Sequence, residues 1–503
     1  MASLDTVVAK AFEGDPDAIA IEFKDQLIRW GDISRVANAL NGLLDEAGIG
    51  PCVPVAFIPQ SSPVFAAALL ALLAGKRSIS MIYGFQAPTV IAADMKKLDV
   101  PAYIACIDDW APEMLTALPE GALAIGLASA LDPEPVRHLQ GSLTADRSHL
   151  RGATDEPVIE LLSSGTTGAP KRQPTPYRTI YSAIIEGNML DAGAVDGQAL
   201  PPGIVQFPFS NISGIYSMLP YAVARRRVRL LSRFNLPEWL EFAQTYKPAA
   251  MILPAAGVRT LLDSDLPDDA LAGVGYISMG MTGLDHGLWR AFEKRFGVPI
   301  LYSYGATEFA GAAAYMTADL HKKYGEAKFG TAGRADPRVK LRVVDQNDPT
   351  KVLGPNEEGL LEVFVPYVGP DWIRTTDIVV IDEDDFLFIR GRADGAISRG
   401  GFKMMPGPIE AALMEHPAVA VACVVGAPDP RLGQVPAALI ELKEGVSAPT
   451  EEELQQVVRS KLPSTNVPAI MRFIDTMPRT VSLKVDLGKV RAMFADKKEE
   501  AAA

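Results

Sequence analysis

The stretch "VIELLSSGTTGAPKR" (residues 158–172) runs from apolar residues into a cluster of hydroxyls, glycines and cations. Ser163, Ser164, Thr166 and Thr167 supply side-chain donors, Gly165 and Gly168 allow close backbone approach, and Lys171 adds a cation. Such a set suits an anion rich in oxygen, and phosphate above all. The P-loop pattern is not met, since that pattern needs G-x-x-x-x-G-K followed by Ser or Thr. Here the two glycines stand three apart, Pro170 precedes Lys171 and Arg172 follows it. Pro174 and Pro176 delay the next helix, whose apolar positions Ile180, Ile184 and Met189 lie beyond them. The loop is expected to wrap phosphate flexibly rather than present a helix terminus. A surface turn of small residues is the plainer reading, but it would seldom hold a lysine so soon after an apolar strand.

Outward from this stretch, short β-rich runs alternate with helical ones. "VPVAFI" (53–58) and "RSISMI" (77–82) flank "VFAAALLALLAG" (64–75), which reads as a buried helix. That alternation predicts βαβ units and a largely parallel sheet. The fold class expected is α/β: a large N-terminal domain of mixed, largely parallel sheets and helices, and a small mobile α/β C-terminal domain. A chain of 503 residues exceeds what one core usually serves. "VVIDEDDFLFIRGRADG" (379–395) reads as a hairpin ending at Gly391 and Arg392. The boundaries follow: residues 1–391 form the large domain, 392–395 a hinge and 396–503 the small domain.

Composition excludes several classes. The net charge of −13 and the lack of a basic stripe argue against nucleic acid. "RRRVRL" (225–230) reads as an arginine-rich strand edge or solvated face. Cys52, Cys106 and Cys423 are scattered without metal spacing, which suits a reducing compartment. The start "MASLDTVVAKAFEGD" lacks a signal-peptide pattern. The longest apolar stretch falls short of the roughly 20 residues that span a bilayer. A cytoplasmic protein without a membrane span is expected.

Five separated stretches then fit one family in order and spacing: "LLSSGTTGAPK", "YSYGATEFAG" (302–311), "RTTDIV" (374–379), "FIRGRADGAISRGGFKMMPGPIE" (388–410) and "PRTVSLKVD" (478–486). Over essentially its whole length the chain resembles the adenylate-forming enzymes, which include acyl-CoA synthetases, peptide-synthetase adenylation domains and firefly luciferase. The resemblance implies two half-reactions: a carboxylate attacks the α-phosphate of ATP to give an acyl-adenylate and pyrophosphate, and a nucleophile, usually coenzyme A, then displaces AMP.

It also implies roles for particular residues. In the glycine loop, Ser163 through Gly168 and Lys171 would hold the β- and γ-phosphates. Tyr304 would stack on adenine, Thr307 would donate to phosphate and Glu308 would ligate Mg2+, a hard cation that takes a carboxylate at such a site. Asp377 and Arg392 would hold the ribose, and Gly280, Met281, Tyr302, Ser303 and Ile389 complete the nucleotide contacts. Lys484 would reach the α-phosphate during adenylation. Asp394 takes the hinge position, about which the small domain would turn to bring Arg399, Gly400, Gly401 and Phe402 to the acceptor face.

Two positions depart from the family's pattern: Ser398 stands where a lysine is common, and Pro408 where a glutamate is. Both lie near the acceptor face, so they bear on the second half-reaction. "QFPFSNISGIYSML" (206–219) matches the acid-pocket motif, with Asn211 in place of a histidine and no aspartate to hold an α-ammonium. Phe207, Phe209, Asn211, Gly214, Met279, Met281, Ser303 and Gly305 would line a mostly apolar slot for an aromatic or hydrophobic carboxylic acid. The leading expectation is an acid–CoA ligase using ATP and Mg2+. An amide bond synthetase passing the acyl group to an amine is the alternative, and a loader of a separate carrier protein the lesser one. A non-catalytic nucleotide binder ranks low because Glu308 and Lys484 are both present. A homodimer is the assembly expected, if the chain associates.

Overall fold

The structure is a computed structural model that describes residues 3–163, 171–187, 201–280, 284, 286–399, 402–429, 432–480 and 484–495. These fall into two compact units. One takes the described residues up to 313 together with 366–369; the other takes 314–365 and the described residues from 370 on.

In the first unit, a seven-stranded sheet runs in the spatial order Val136–Gln140, Leu123–Leu127, Ala102–Cys106, Pro54–Phe57, Ser78–Met81, Val158–Ser163, Lys171–Pro176. Its interior pairings are parallel and its two edge pairings antiparallel. Strands Pro54–Phe57, Ser78–Met81 and Leu123–Leu127 are buried at every residue, as interior parallel strands covered on both faces must be. The helix Pro63–Ala74 connects the first two of these, and Pro63 through Leu73 are all buried. It is the buried helix of the sequence reading, and the βαβ expectation holds.

The segment after Lys171 differs from its sequence reading. Lys171–Pro176 is a strand, antiparallel to Val158–Ser163, and the helix starts directly after it at Tyr177–Tyr181. Pro174 and Pro176 are tolerated because this strand lies at the sheet's edge, where a missing N–H donor costs no ladder bond. The helix does begin only after them, as expected; what the sequence reading lacked is that they end a hairpin arm.

A second sheet orders Gly203–Val205, Val228–Leu230, Ile19–Phe23 and Gln26–Arg29. The arginine run therefore enters an interior strand, not an edge. Its charges are used internally: Arg229 pairs with Glu22 at 2.7 Å and Glu241 at 2.6 Å, and Arg225 lies 4.5 Å over the Trp30 ring. A third set of strands, Ala250–Ile252, Tyr276–Met279 and Ile300–Ala306, is parallel throughout.

The second unit is mostly antiparallel. Lys340–Val344, Glu358–Phe364, Trp372–Ile381 and Leu387–Arg392 form a meander. Further along, Val419–Asp429 pairs with Gly433–Leu442 over most of their length, and Ile470–Ile474 adds a parallel strand. Alternate residues of this sheet serve two separate apolar clusters. Ala422, Val424, Ala438 and Ile440 join Leu413 and Leu454, while Cys423, Val425, Ala437 and Leu439 join Val490 and Phe494. The period of two along each strand puts one set on each face, with the helices Pro406–Met414 and Glu451–Arg459 contributing to one cluster and Leu487–Ala495 to the other.

Candidate functional site

The strands on either side of the glycine loop are antiparallel neighbours. Strands Val158–Ser163 and Lys171–Pro176 pair in register so that Ser163 faces Lys171. Lys171 is thereby set at the mouth of the loop by backbone pairing rather than by a helix. Residues 164–170, with Ser164, Gly165, Thr166, Thr167 and Gly168, lie outside the described residues, as do the side chains of Ser163 and Lys171. The neighbouring Arg172, which stands where a P-loop would need Ser or Thr, ties the hairpin arm down. It donates to Met81 O at 2.5 Å and pairs at 2.5 Å with Asp94 on the helix Pro88–Met95. The only signal for it in the sequence is a second cation beside Lys171.

The strand Ile300–Ala306 runs into a 3-10 turn, Thr307–Phe309, and Ala310 turns left-handed at φ 55°. Along it Tyr302 is buried beside Trp289, with ring centroids 5.8 Å apart, and burial pushes its hydroxyl up to about 12. Tyr304 is half-buried, 6.0 Å from the Phe309 ring, and Glu308 is exposed. Ser303 donates to Met279 O at 3.0 Å, joining two adjacent parallel strands.

Close backbone approaches explain the glycines here. A Cβ on Gly280 would sit 2.5 Å from Ser303 Oγ, and one on Gly305 2.3 Å from Gly311 O. Thus Gly280, Tyr302, Ser303, Tyr304, Gly305, Thr307 and Glu308 come together at the carboxyl ends of parallel strands, where open α/β sheets bind ligands. Met281 lies outside the described residues.

The stretch 206–219, expected to line an acid pocket, follows the strand Gly203–Val205. A turn closed by Asn211 N–H on Pro208 O leads to the helix Ile212–Val223, with Asn211 at its N-cap. Gly214 is needed because a Cβ there would meet Pro208 O at 2.1 Å. Phe209 and Met279 are fully buried, and Phe207 is partly exposed.

In the second unit, Asp377 and Arg392 are cross-strand partners in the meander, in direct register. Arg392 Nη1 lies 3.4 Å from Asp377 Oδ1, and Nη2 donates to Thr376 Oγ1 at 2.5 Å. Asp377 is mid-strand rather than the turn residue that its local sequence allowed. Ile389 is 37% exposed on the partner strand.

Ala393–Gly395 is a 3-10 turn containing Asp394, directly before the strand Ile397–Arg399, which pairs with Phe402–Met404. Arg399 donates to Thr465 O at 2.5 Å. Gly400 and Gly401 lie outside the described residues, as do the side chains of Asp394, Ser398 and Phe402. Lys484 is half-buried, and its carbonyl accepts from Thr480 N–H at 2.6 Å.

Among the described residues no group of three or more His, Cys, Asp or Glu could cage a metal. A cation beside Glu308 would therefore be held mainly by phosphate oxygens and water, the usual way Mg2+ is carried with a nucleotide. The exposed carboxylate fits that arrangement. No helix of the described residues is long and apolar enough to cross a membrane.

The sequence profile of the AMP-binding enzymes matches residues 8–369, and that of the AMP-binding enzyme C-terminal domain matches 408–484. The chain belongs to the AMP-binding enzyme family. It is 29% identical over 362 residues to luciferin 4-monooxygenase of Nipponoluciola cruciata, a match covering 68% of this chain and 64% of that one. It is 26% identical over 522 residues to indoleacetate–CoA ligase of Aromatoleum aromaticum, covering 96% of each. The solved structure of the amide bond synthetase McbA from Marinactinospora thermotolerans superposes with a TM-score of 0.77 at 22% identity, over 98% of this chain and 100% of that one, which shows a shared fold.

Proposed function

We propose that the protein activates a carboxylic acid with ATP and passes the acyl group to coenzyme A. The backbone register that pairs Lys171 with Ser163 carries this reading, because the sequence between them is rich in hydroxyls and glycines suited to phosphate. A carboxylate oxygen attacks the α-phosphorus, the bond to the β-phosphate oxygen breaks, and pyrophosphate leaves. The thiol sulfur of coenzyme A then attacks the acyl carbonyl, the thiol proton is lost and AMP departs with its phosphate. Loop hydroxyls and Lys171 hold the outgoing pyrophosphate, and Tyr304 gives adenine a ring to lie on. Asp377, oriented by Arg392, accepts from the ribose hydroxyls. A magnesium ion at Glu308 would neutralise phosphate charge. Lys484 stabilises the charge that grows on the α-phosphate. The 392–395 segment serves as the hinge between residues 1–391 and 396–503, so that Lys484 acts in the first step and Arg399 lies towards the acceptor in the second.

The acid is aromatic or hydrophobic and is not an α-amino acid. Two things support this: the aromatic residues of the 206–219 stretch, and its lack of an aspartate. A second reading, transfer to an amine, is favoured by Ser398 and Pro408 at the acceptor side. The test is pyrophosphate release over a panel of carboxylic acids without acceptor, followed by product analysis with coenzyme A and with simple amines. Release with arylalkanoic acids and thioester formation are expected. No release with any acid overturns the activity, and amide without thioester overturns the acceptor.

A further inference from the structure

Buried polar atoms in folded proteins almost always find a hydrogen-bond partner, and an unpaired one asks for an explanation. Among the described residues, three side-chain oxygens are buried without a partner: Gln206 Oε1, Ser210 Oγ and Tyr216 Oη. The other buried polar atoms in that condition are nitrogens of tryptophan or arginine elsewhere in the chain. All three oxygens therefore fall within an eleven-residue stretch that also carries the acid-pocket residues Phe207, Phe209, Asn211 and Gly214. Their residues are 4%, 1% and 8% exposed, so bulk water does not solvate them.

Each oxygen is held in place by something other than its own hydrogen bond. Gln206 follows the strand Gly203–Val205, and its Nε2 donates to Ile252 O at 2.8 Å at the end of the parallel strand Ala250–Ile252. The amide is thus fixed with its nitrogen used and its oxygen left over. Ser210 sits inside the turn that Asn211 N–H closes on Pro208 O. The Tyr216 ring packs on Gly311, where a Cβ would lie 3.1 Å from Tyr216 Cε2. Gly311 O in turn lies against Gly305, between Tyr304 and Ala306. Tyr216 is thereby tied to the strand end that presents Ser303 and Tyr304.

We propose that the acid site contains a polar subsite of Gln206, Ser210 and Tyr216, which takes a hydrogen-bonding substituent of an aromatic carboxylic acid. The chemistry of the three oxygens selects the substituent. Gln206 Oε1 only accepts, so the group must donate. The hydroxyls of Ser210 and Tyr216 both donate and accept, so a group that also accepts is served. A phenol hydroxyl satisfies both demands, and a ring N–H satisfies the first. A plain hydrocarbon acid would bury the site with its oxygens still unpaired. This inference rests on the acid-activation reading and narrows its substrate class from hydrophobic acids to aromatic acids carrying such a donor.

The experiment compares matched acids in pyrophosphate release: 3-(4-hydroxyphenyl)propanoic against 3-phenylpropanoic acid, and indole-3-acetic against 1-naphthylacetic acid. In the wild-type chain kcat/KM should favour the donor-bearing member of at least one pair by about tenfold or more, since an unpaired buried polar group discriminates strongly. In Tyr216→Phe and in Ser210→Ala that ratio should fall towards one. A wild-type ratio near one in both pairs overturns the subsite, as does a ratio unchanged in both variants. The melting temperature gives a second readout, because removing a hydroxyl that has no partner should leave Tm unchanged or raise it. A fall of several degrees in Tyr216→Phe would mean that a buried water already satisfies the hydroxyl, and the subsite fails. If no acid releases pyrophosphate, the activity reading is lost. Calorimetric binding of the same pairs then decides the subsite separately: preference for the donor-bearing acid supports it and equal binding overturns it.

Discussion

The two units place their candidate site residues by different physics. In the first, Tyr304, Thr307 and Glu308 sit where a parallel strand ends and the chain turns, with Gly305 present because Gly311 O comes too close for a side chain. In the second, Asp377 and Arg392 sit inside strands and meet only because an antiparallel register sets them opposite each other. A strand end tolerates local change, since the turn carries no ladder. A mid-strand pair depends on register, and a slip of either strand by one residue would turn that strand's side chain to the other face and part the two. Residues at strand ends are therefore adjustable one at a time, whereas the Asp377–Arg392 pair stands or falls with its sheet.

The largest effect is expected from Lys484→Ala. Adenylation should fall by about 10²–10³, the worth of one donor aimed at charge developing in the transition state. Transfer from pre-made acyl-adenylate to coenzyme A should be spared. Equal loss in both steps, measured separately, would remove the distinction between adenylation and transfer residues.

A more direct comparison sets Glu308→Gln against Asp377→Asn. Each removes one charge while keeping shape, and each should raise KM for magnesium–ATP by about tenfold, as for a lost hydrogen bond to a charged group. They differ in their dependence on metal. The Glu308 defect should deepen as magnesium becomes limiting, whereas the Asp377 defect should not. Parallel magnesium titrations that superimpose would assign both residues the same role and undo the contrast between strand end and mid-strand.

The smallest effect on turnover is expected from Glu410→Gln on the helix Pro406–Met414. Burial pushes the Glu410 carboxyl up to about 7, although Val424 N–H donates to it at 2.8 Å. Because its folded value lies above the unfolded one, the unfolded chain loses this proton first as pH rises. Stability is therefore highest below the unfolded value of 4.5 and falls until the folded carboxyl also ionises near 7. That raised carboxyl corresponds to roughly 3 kcal/mol. Denaturant unfolding of the full chain at pH 5 and pH 8 should show the loss in wild type and a smaller one in Glu410→Gln. Equal slopes with pH in the two proteins would acquit Glu410.

By itself the sequence determined the α/β class and the βαβ order of the first unit, and it nominated candidate site residues. Apolar runs and glycine spacing are local signals, and five motifs kept their order along the chain. It could not determine that Lys171–Pro176 is a strand, because two prolines argue against one unless its edge position is known. Nor could it place the arginines of "RRRVRL", whose acidic partners Glu22 and Glu241 are brought in by sheet pairing and a neighbouring helix. Asp377 reads locally as a turn residue, and only the register opposite Arg392 makes it half of a pair. Gln206, Ser210 and Tyr216 look like unremarkable members of an apolar stretch. Burial without a partner is a property of the packed chain, and tertiary structure alone decided it.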